Sequence, residues 1–140
     1  MDIKQFLKEI RAERREIALL EKRILKSKLK AIPSGISYDR DKVQTSPRDS
    51  MSEAMIESAD YEKELEKHLN KLMARSAYAA RIISSVPAVD QRRVLEAYYL
   101  HMGNPTWEEV ADMLDFSVQR IYQLHGDALV WLRSNHHLKD

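Results

Sequence analysis

The stretch that decides the fold is Thr106-Trp-Glu-Glu-Val-Ala-Asp-Met-Leu-Asp-Phe-Ser-Val-Gln-Arg-Ile-Tyr-Gln-Leu-His-Gly-Asp-Ala-Leu-Val-Trp-Leu-Arg133. Two helical periods are legible in it, separated by a break of three residues. Thr106 with Glu109 has the spacing of a capping box, so a helix starts just after Thr106. Trp107, Val110, Ala111 and Leu114 recur at the spacing of one helix face and are expected to point inward. Asp115-Phe116-Ser117 makes a tight turn, and Ser117 caps the next helix. On that helix Ile121, Leu124, Ala128, Leu129 and Leu132 form the inward set. Subtracting them leaves Val118, Gln119, Tyr122, Gln123 and Gly126 facing out.

A third helix precedes this pair. It runs from about Asp90 to His101, is expected to bury Val94, Leu95 and Tyr98, and stops at Gly103-Asn104-Pro105. A short scaffold helix, a three-residue turn and a second helix with a free N-terminal half are the parts of a helix-turn-helix. Small Ala111 sits where the two helices must cross, and Phe116 can fill the gap between them. In such a unit Gln119 and Gln123 can pair with adenine edges in the major groove, and Val118 can meet a thymine methyl. Tyr122 lies in the same row. Arg120, Ser117 and the N-terminus of the scaffold helix at Thr106 are placed to hold phosphate.

Residues 89–132 resemble the fourth region of bacterial sigma factors. The resemblance rests on Asp90-Gln-Arg-Arg-Val-Leu-Glu-Ala-Tyr-Tyr99, on Thr106-Trp-Glu-Glu-Val-Ala, and on a Ser-led helix ending Ala128-Leu-Val-Trp-Leu-Arg133. It implies that Val118, Gln119, Tyr122 and Gln123 contact bases, with Arg120 near the backbone. Sigma factors often carry charged residues at several of these positions. This chain has almost none, so recognition of a −35 promoter element is not implied. The remainder does not resemble a sigma factor. The whole layout, with its basic first helix and the linker Asp41-Lys-Val-Gln-Thr-Ser-Pro47, is similar to small phage transcriptional regulators of the RinA and ArpU type. That resemblance implies control of phage late genes.

Outward from the C-terminal third, the chain reads as two long helices. Ile3, Ile10, Ile17 and Ile24 are spaced by seven and mark one stripe on a helix over residues 1–32. A helix of that size is about 45 Å long. Residues 33–46 form a polar linker, broken by Pro33 and Gly35. Ser46 as cap and Pro47 at the first helical position start a second long helix over 47–86. Its stripe is Leu65, Leu69, Leu72, Ala79, Ile83 and Val86, extended toward the N-terminus by Met55, Ile56 and Ala59. The pair can fold back as a hairpin or pair with a second subunit as a coiled coil, and the pattern does not choose. Pro87 ends the second helix and opens the helix-turn-helix domain at 87–140.

Composition agrees with an all-α protein. Apolar residues make up 44% and charged residues 32% of the 140, with 3 Gly and 4 Pro. There is no Cys, which excludes a disulfide scaffold and a thiol nucleophile. No apolar run has the length of a membrane span and the N-terminus lacks a signal-peptide pattern, so a soluble intracellular protein is expected, and the resemblance to phage regulators implies the cytoplasm of a bacterial host. Five His are scattered without metal-site spacing. No phosphate loop, activated nucleophile or acid–base pair stands out, so an enzyme is not expected, nor is a cofactor or metal.

Net charge is +1, but it is uneven. Residues 1–32 carry ten Lys/Arg against five Asp/Glu, and residues 86–140 carry five against eight. Glu108, Glu109, Asp112 and Asp115 account for much of the acidic excess through helix-end positions. On the basic helix Arg14, Arg15 and Arg23 are candidate phosphate contacts; the alternative is a solvated face paired with Glu9, Glu13, Glu16 and Glu21. The expected function is sequence-specific binding of double-stranded DNA to regulate transcription, with RNA polymerase as a further partner and a homodimer formed through the long helices. Two other readings are open: a phage DNA-packaging recognition subunit, and an adaptor that grips polymerase or another protein without reading DNA.

Overall fold

The computed structural model describes residues 2–31 and 47–138. All regular structure among them is helical: α1 Ile3–Ala31, α2 Pro47–Ser84, α3 Val89–Leu95 continued by a π-helical turn Glu96–Leu100, α4 Trp107–Leu114 and α5 Val118–Asn135. The expected linker and its Ser46 cap lie outside the described residues. The helices distribute over two compact units, Met1–Arg14 with Lys71–Asp140, and Arg15–Asn70.

In the first unit the opening turns of α1 run antiparallel to the end of α2. Phe6 meets Tyr78 edge to face at 5.7 Å, while Glu9 and Glu13 reach Arg75 at 3.9 and 3.8 Å. Ile3, Leu7 and Ile10 then share one apolar cluster with Ala79, Ile82, Ile83 and Val86 of α2, Leu95 and Tyr99, and Ala128, Leu129 and Leu132 of α5. A smaller cluster of Val94, Val110, Ala111, Ile121 and Leu124 holds the three short helices together. Tyr98 packs against both.

The third helix departs from its expected form. Tyr99 is the buried tyrosine and Tyr98 is only half-buried. A π-helical turn is wider than an α-turn and breaks the i→i+4 ladder. The last carbonyls of the helix must find other partners where it stops, and Tyr99 lies in the larger cluster while Tyr98 bridges the two. The helix ends at His101, whose backbone is extended. Asn104, not Gly103, takes the left-handed conformation at φ 47°. Asn tolerates that region better than most side chains do.

In the second unit Ile17, Leu20, Ile24 and Ser27 are the buried face of α1, and Ala54 and Ser58 are the buried face of α2. Lys28 pairs with Glu62 at 3.0 Å. The small Ala54 and Ser58, one turn apart, set the close-packed side. Met55 and Ile56, expected inward, are therefore turned out and 63% exposed. Leu69 is exposed as well. The heptad isoleucines Ile3, Ile10, Ile17 and Ile24 are all buried.

Candidate nucleic-acid interface

The helix-turn-helix is assembled by local hydrogen bonds that its sequence dictates. Thr106 Oγ1 accepts from Glu109 N–H at 3.2 Å, and the Glu109 carboxylate accepts back from Thr106 N–H. A cap of this kind is worth about 1 kcal/mol. At the other end of α4, Asp115 adopts φ 57° and Phe116 N–H donates to the Ala111 carbonyl at 3.1 Å. Ala111 is buried at the crossing, and Phe116 packs beside it. Ser117 Oγ then accepts from Arg120 N–H at 3.1 Å and starts α5.

That geometry presents one row of α5 to solvent. Gln119, Arg120, Tyr122 and Gln123 are exposed, and Val118 is half-buried, while Ile121 and Leu124 anchor the opposite face. Thr106 and Ser117 are exposed at the two helix starts. Arg120 donates to Gln123 Oε1 at 2.7 Å, so the second glutamine is oriented before any ligand arrives. Arg15 and Arg23 are also exposed, in the second unit.

Arg14 is placed differently, and its assignment to phosphate is corrected. It is buried, with its guanidinium donating to the Tyr99 carbonyl and to Asn104 Oδ1. Burial and the neighbouring Arg11 charge lower its pKa. Arg11, also buried, donates to the carbonyls of Tyr98 at 2.7 Å, Pro105 at 3.0 Å and Asn104 at 3.3 Å. Asn104 Nδ2 returns a bond to the Arg11 carbonyl at 2.8 Å. The two arginines thus take up carbonyls left open at the end of the third helix and in the loop at Asn104 and Pro105. Nothing in their spacing separates them from the solvated basic residues, because their partners lie more than eighty residues away.

Three aromatic features behind the exposed row of α5 were not foreseen. Tyr98 stacks on Trp107 with ring centroids 3.5 Å apart, and the Arg11 guanidinium covers the other face of Tyr98 at 3.8 Å. Trp107 meets Tyr122 edge to face at 5.6 Å. His125 is buried, with Nε2 2.7 Å from the Tyr99 hydroxyl. Its position was legible, since it lies four residues after Ile121 on the inward face.

With the imidazole neutral and its proton on Nδ1, Tyr99 donates to His125 Nε2. Burial, with the positive charges of Lys4, Arg133 and Lys8, pushes the His125 pKa down to about 4. In the unfolded chain it returns to about 6.5. Between those values the unfolded state binds the extra proton, so stability falls as pH drops from about 6.5 toward 4. The expected loss between pH 7 and pH 5 is about 2 kcal/mol. Urea denaturation at the two pH values measures it. His125→Gln keeps an acceptor for Tyr99 and should flatten the profile; an equal loss in that variant would place the effect elsewhere.

Two capped helices, a left-handed three-residue turn and an exposed row on the second helix define a helix-turn-helix unit. Residues 89–134 match the family model described as Sigma-70, region 4. No curated protein and no solved structure matches the chain. Among the described residues, no group of three or more metal-binding side chains lies together, and no helix is long and apolar enough to cross a membrane.

Proposed function

We propose that this protein binds double-stranded DNA sequence-specifically and regulates transcription. The observation that carries this reading is the row of Gln119, Tyr122 and Gln123, exposed on α5 above the anchoring Ile121 and Leu124. The Sigma-70 region 4 match over 89–134 supports it independently. In this reading Gln119 and Gln123 address base edges, with Val118 and Tyr122 beside them. Thr106, Ser117 and Arg120 hold phosphates.

The finer reading is a phage-encoded regulator of late genes of the RinA and ArpU kind, acting in the bacterial cytoplasm and able to contact RNA polymerase. It has no catalytic role and needs no cofactor. A homodimer formed through the long helices would set two reading heads at a fixed spacing. In the second unit, Leu25, Leu29, Met55 and Ile56 are 59–63% exposed, which favours a partner helix there. Light scattering on the purified protein distinguishes dimer from monomer.

Enrichment of a random duplex pool at near-physiological salt tests the central claim. One enriched motif is the expected outcome, with two-fold symmetry if the protein is a dimer. Weak, unenriched binding that disappears with modest salt would overturn sequence reading.

A further inference from the structure

An open cleft of about 380 Å³ lies beside the reading helix, lined by Lys4, Lys8, Tyr98, Tyr99, Trp107, Tyr122 and His125. Lys4 and Lys8 are four residues apart, hence on one face of α1. Lys8 is exposed and Lys4 half-buried. Among the described residues neither forms an ion pair. The same cleft is lined by Trp107, the first residue of the scaffold helix, and by Tyr122 from the exposed row of α5.

The position of these lysines is fixed by the fold. Ile3, Leu7 and Ile10 alternate with them and are buried in the larger cluster. Asp2 pairs with Arg133 near the end of α5 at 3.0 Å, and Arg11 grips the carbonyls around Pro105. Lys4 and Lys8 are thus carried by the same compact unit as α4 and α5.

Residues 86–140 carry five basic against eight acidic residues, and Arg120 is the sole cation in the first half of α5. A duplex presents dense negative charge, and its binding depends on cations placed along the backbone. We propose that Lys4 and Lys8 of the first helix hold a phosphate run of the same duplex that α5 reads, making α1 part of the DNA-binding surface. This rests on the DNA-reading function above and extends it to residues outside the matched 89–134 segment. Charge complementarity and continuity with Tyr122 identify the occupant as DNA backbone.

Salt dependence of affinity for a random-sequence duplex of about 30 base pairs tests the proposal, because phosphate contacts are sequence-independent. Fluorescence anisotropy should show that K4A/K8A binds roughly tenfold more weakly and that its log–log salt slope is shallower by nearly 2. K4R/K8R should restore both. The matched charge loss K26A/K30A, at exposed positions of the second unit, should change the slope much less. Thermal melting of each variant checks that the fold is kept. If wild type binds duplex and K4A/K8A keeps its slope, the cleft proposal is wrong and the reading helix stands. If both alanine doubles lower the slope equally, bulk charge explains the effect and the proposal is likewise wrong. If wild type binds neither this duplex nor any member of the enrichment pool, the functional reading itself falls and this proposal with it.

Discussion

Arg11→Met is expected to lower stability by about 3 kcal/mol and Arg14→Met by only about 1 kcal/mol, although both arginines are buried. Methionine keeps much of the apolar stem and removes the fork of donors. For Arg11 that leaves the carbonyls of Tyr98, Asn104 and Pro105 without their partner and uncovers the face of Tyr98 that stacks on Trp107. Buried acceptors left unpaired cost about 1–3 kcal/mol each when water cannot reach them. Arg14 gives up the Tyr99 carbonyl and a long bond to Asn104, but its Nε is buried without a partner. Its charge also repels that of Arg11. Removing it relieves a desolvation cost that offsets most of the loss. Urea denaturation at neutral pH reads both. Equal losses, or a larger one for Arg14→Met, would contradict this division of roles.

The second large effect concerns recognition. Gln119→Ala with Gln123→Ala is expected to weaken binding to the selected duplex by roughly 2–6 kcal/mol, about 30-fold to about 10⁴-fold, at 1–3 kcal/mol for each of the two paired contacts. Binding to a scrambled duplex should hardly change, since phosphate contacts carry no sequence information. Both side chains are exposed, so the fold has no reason to suffer. The two are not equivalent. Gln123 is already held through its oxygen by Arg120 at 2.7 Å, whereas among the described residues no side chain braces Gln119 in this way. Arg120→Ala should therefore reduce discrimination at the position that Gln123 reads, in addition to any phosphate it releases. Competition between selected and scrambled duplexes measures this. Variants that discriminate as well as wild type would move the reading row elsewhere.

The helix-turn-helix was legible because its signals are local. The Thr106–Glu109 box, the Ser117 cap and the inward residues of α5 are each set by neighbours within a turn or two, and all lie where the pattern puts them. The heptad isoleucines were legible for the same reason. Met55 and Ile56 misled because periodicity marks a face without naming its partner, and here the closer approach is made through Ala54 and Ser58. Arg14 misled more deeply. An arginine in a basic helix has the same sequence signature whether it meets solvent or a set of distant carbonyls. The π-helical turn that supplies some of those carbonyls leaves no mark in the order Glu-Ala-Tyr-Tyr-Leu100. Lys4 and Lys8 escaped notice because the reading row and the first helix are joined only in three dimensions.

The make-up of the first unit bears on how the chain comes to be folded. Its core joins Ile3, Leu7 and Ile10 to Leu129 and Leu132, at opposite ends of the sequence. During synthesis the opening helix leaves the ribosome long before its partners exist, so its apolar stripe must wait until α5 has been made. Contacts of such long sequence separation slow folding. A fragment cut at the matched boundary, 89–134, would lose the side chains that cover Leu95, Tyr99 and Leu132. The compact unit that carries α4 and α5 is therefore discontinuous in sequence, and its larger core is completed only when α5 has been made.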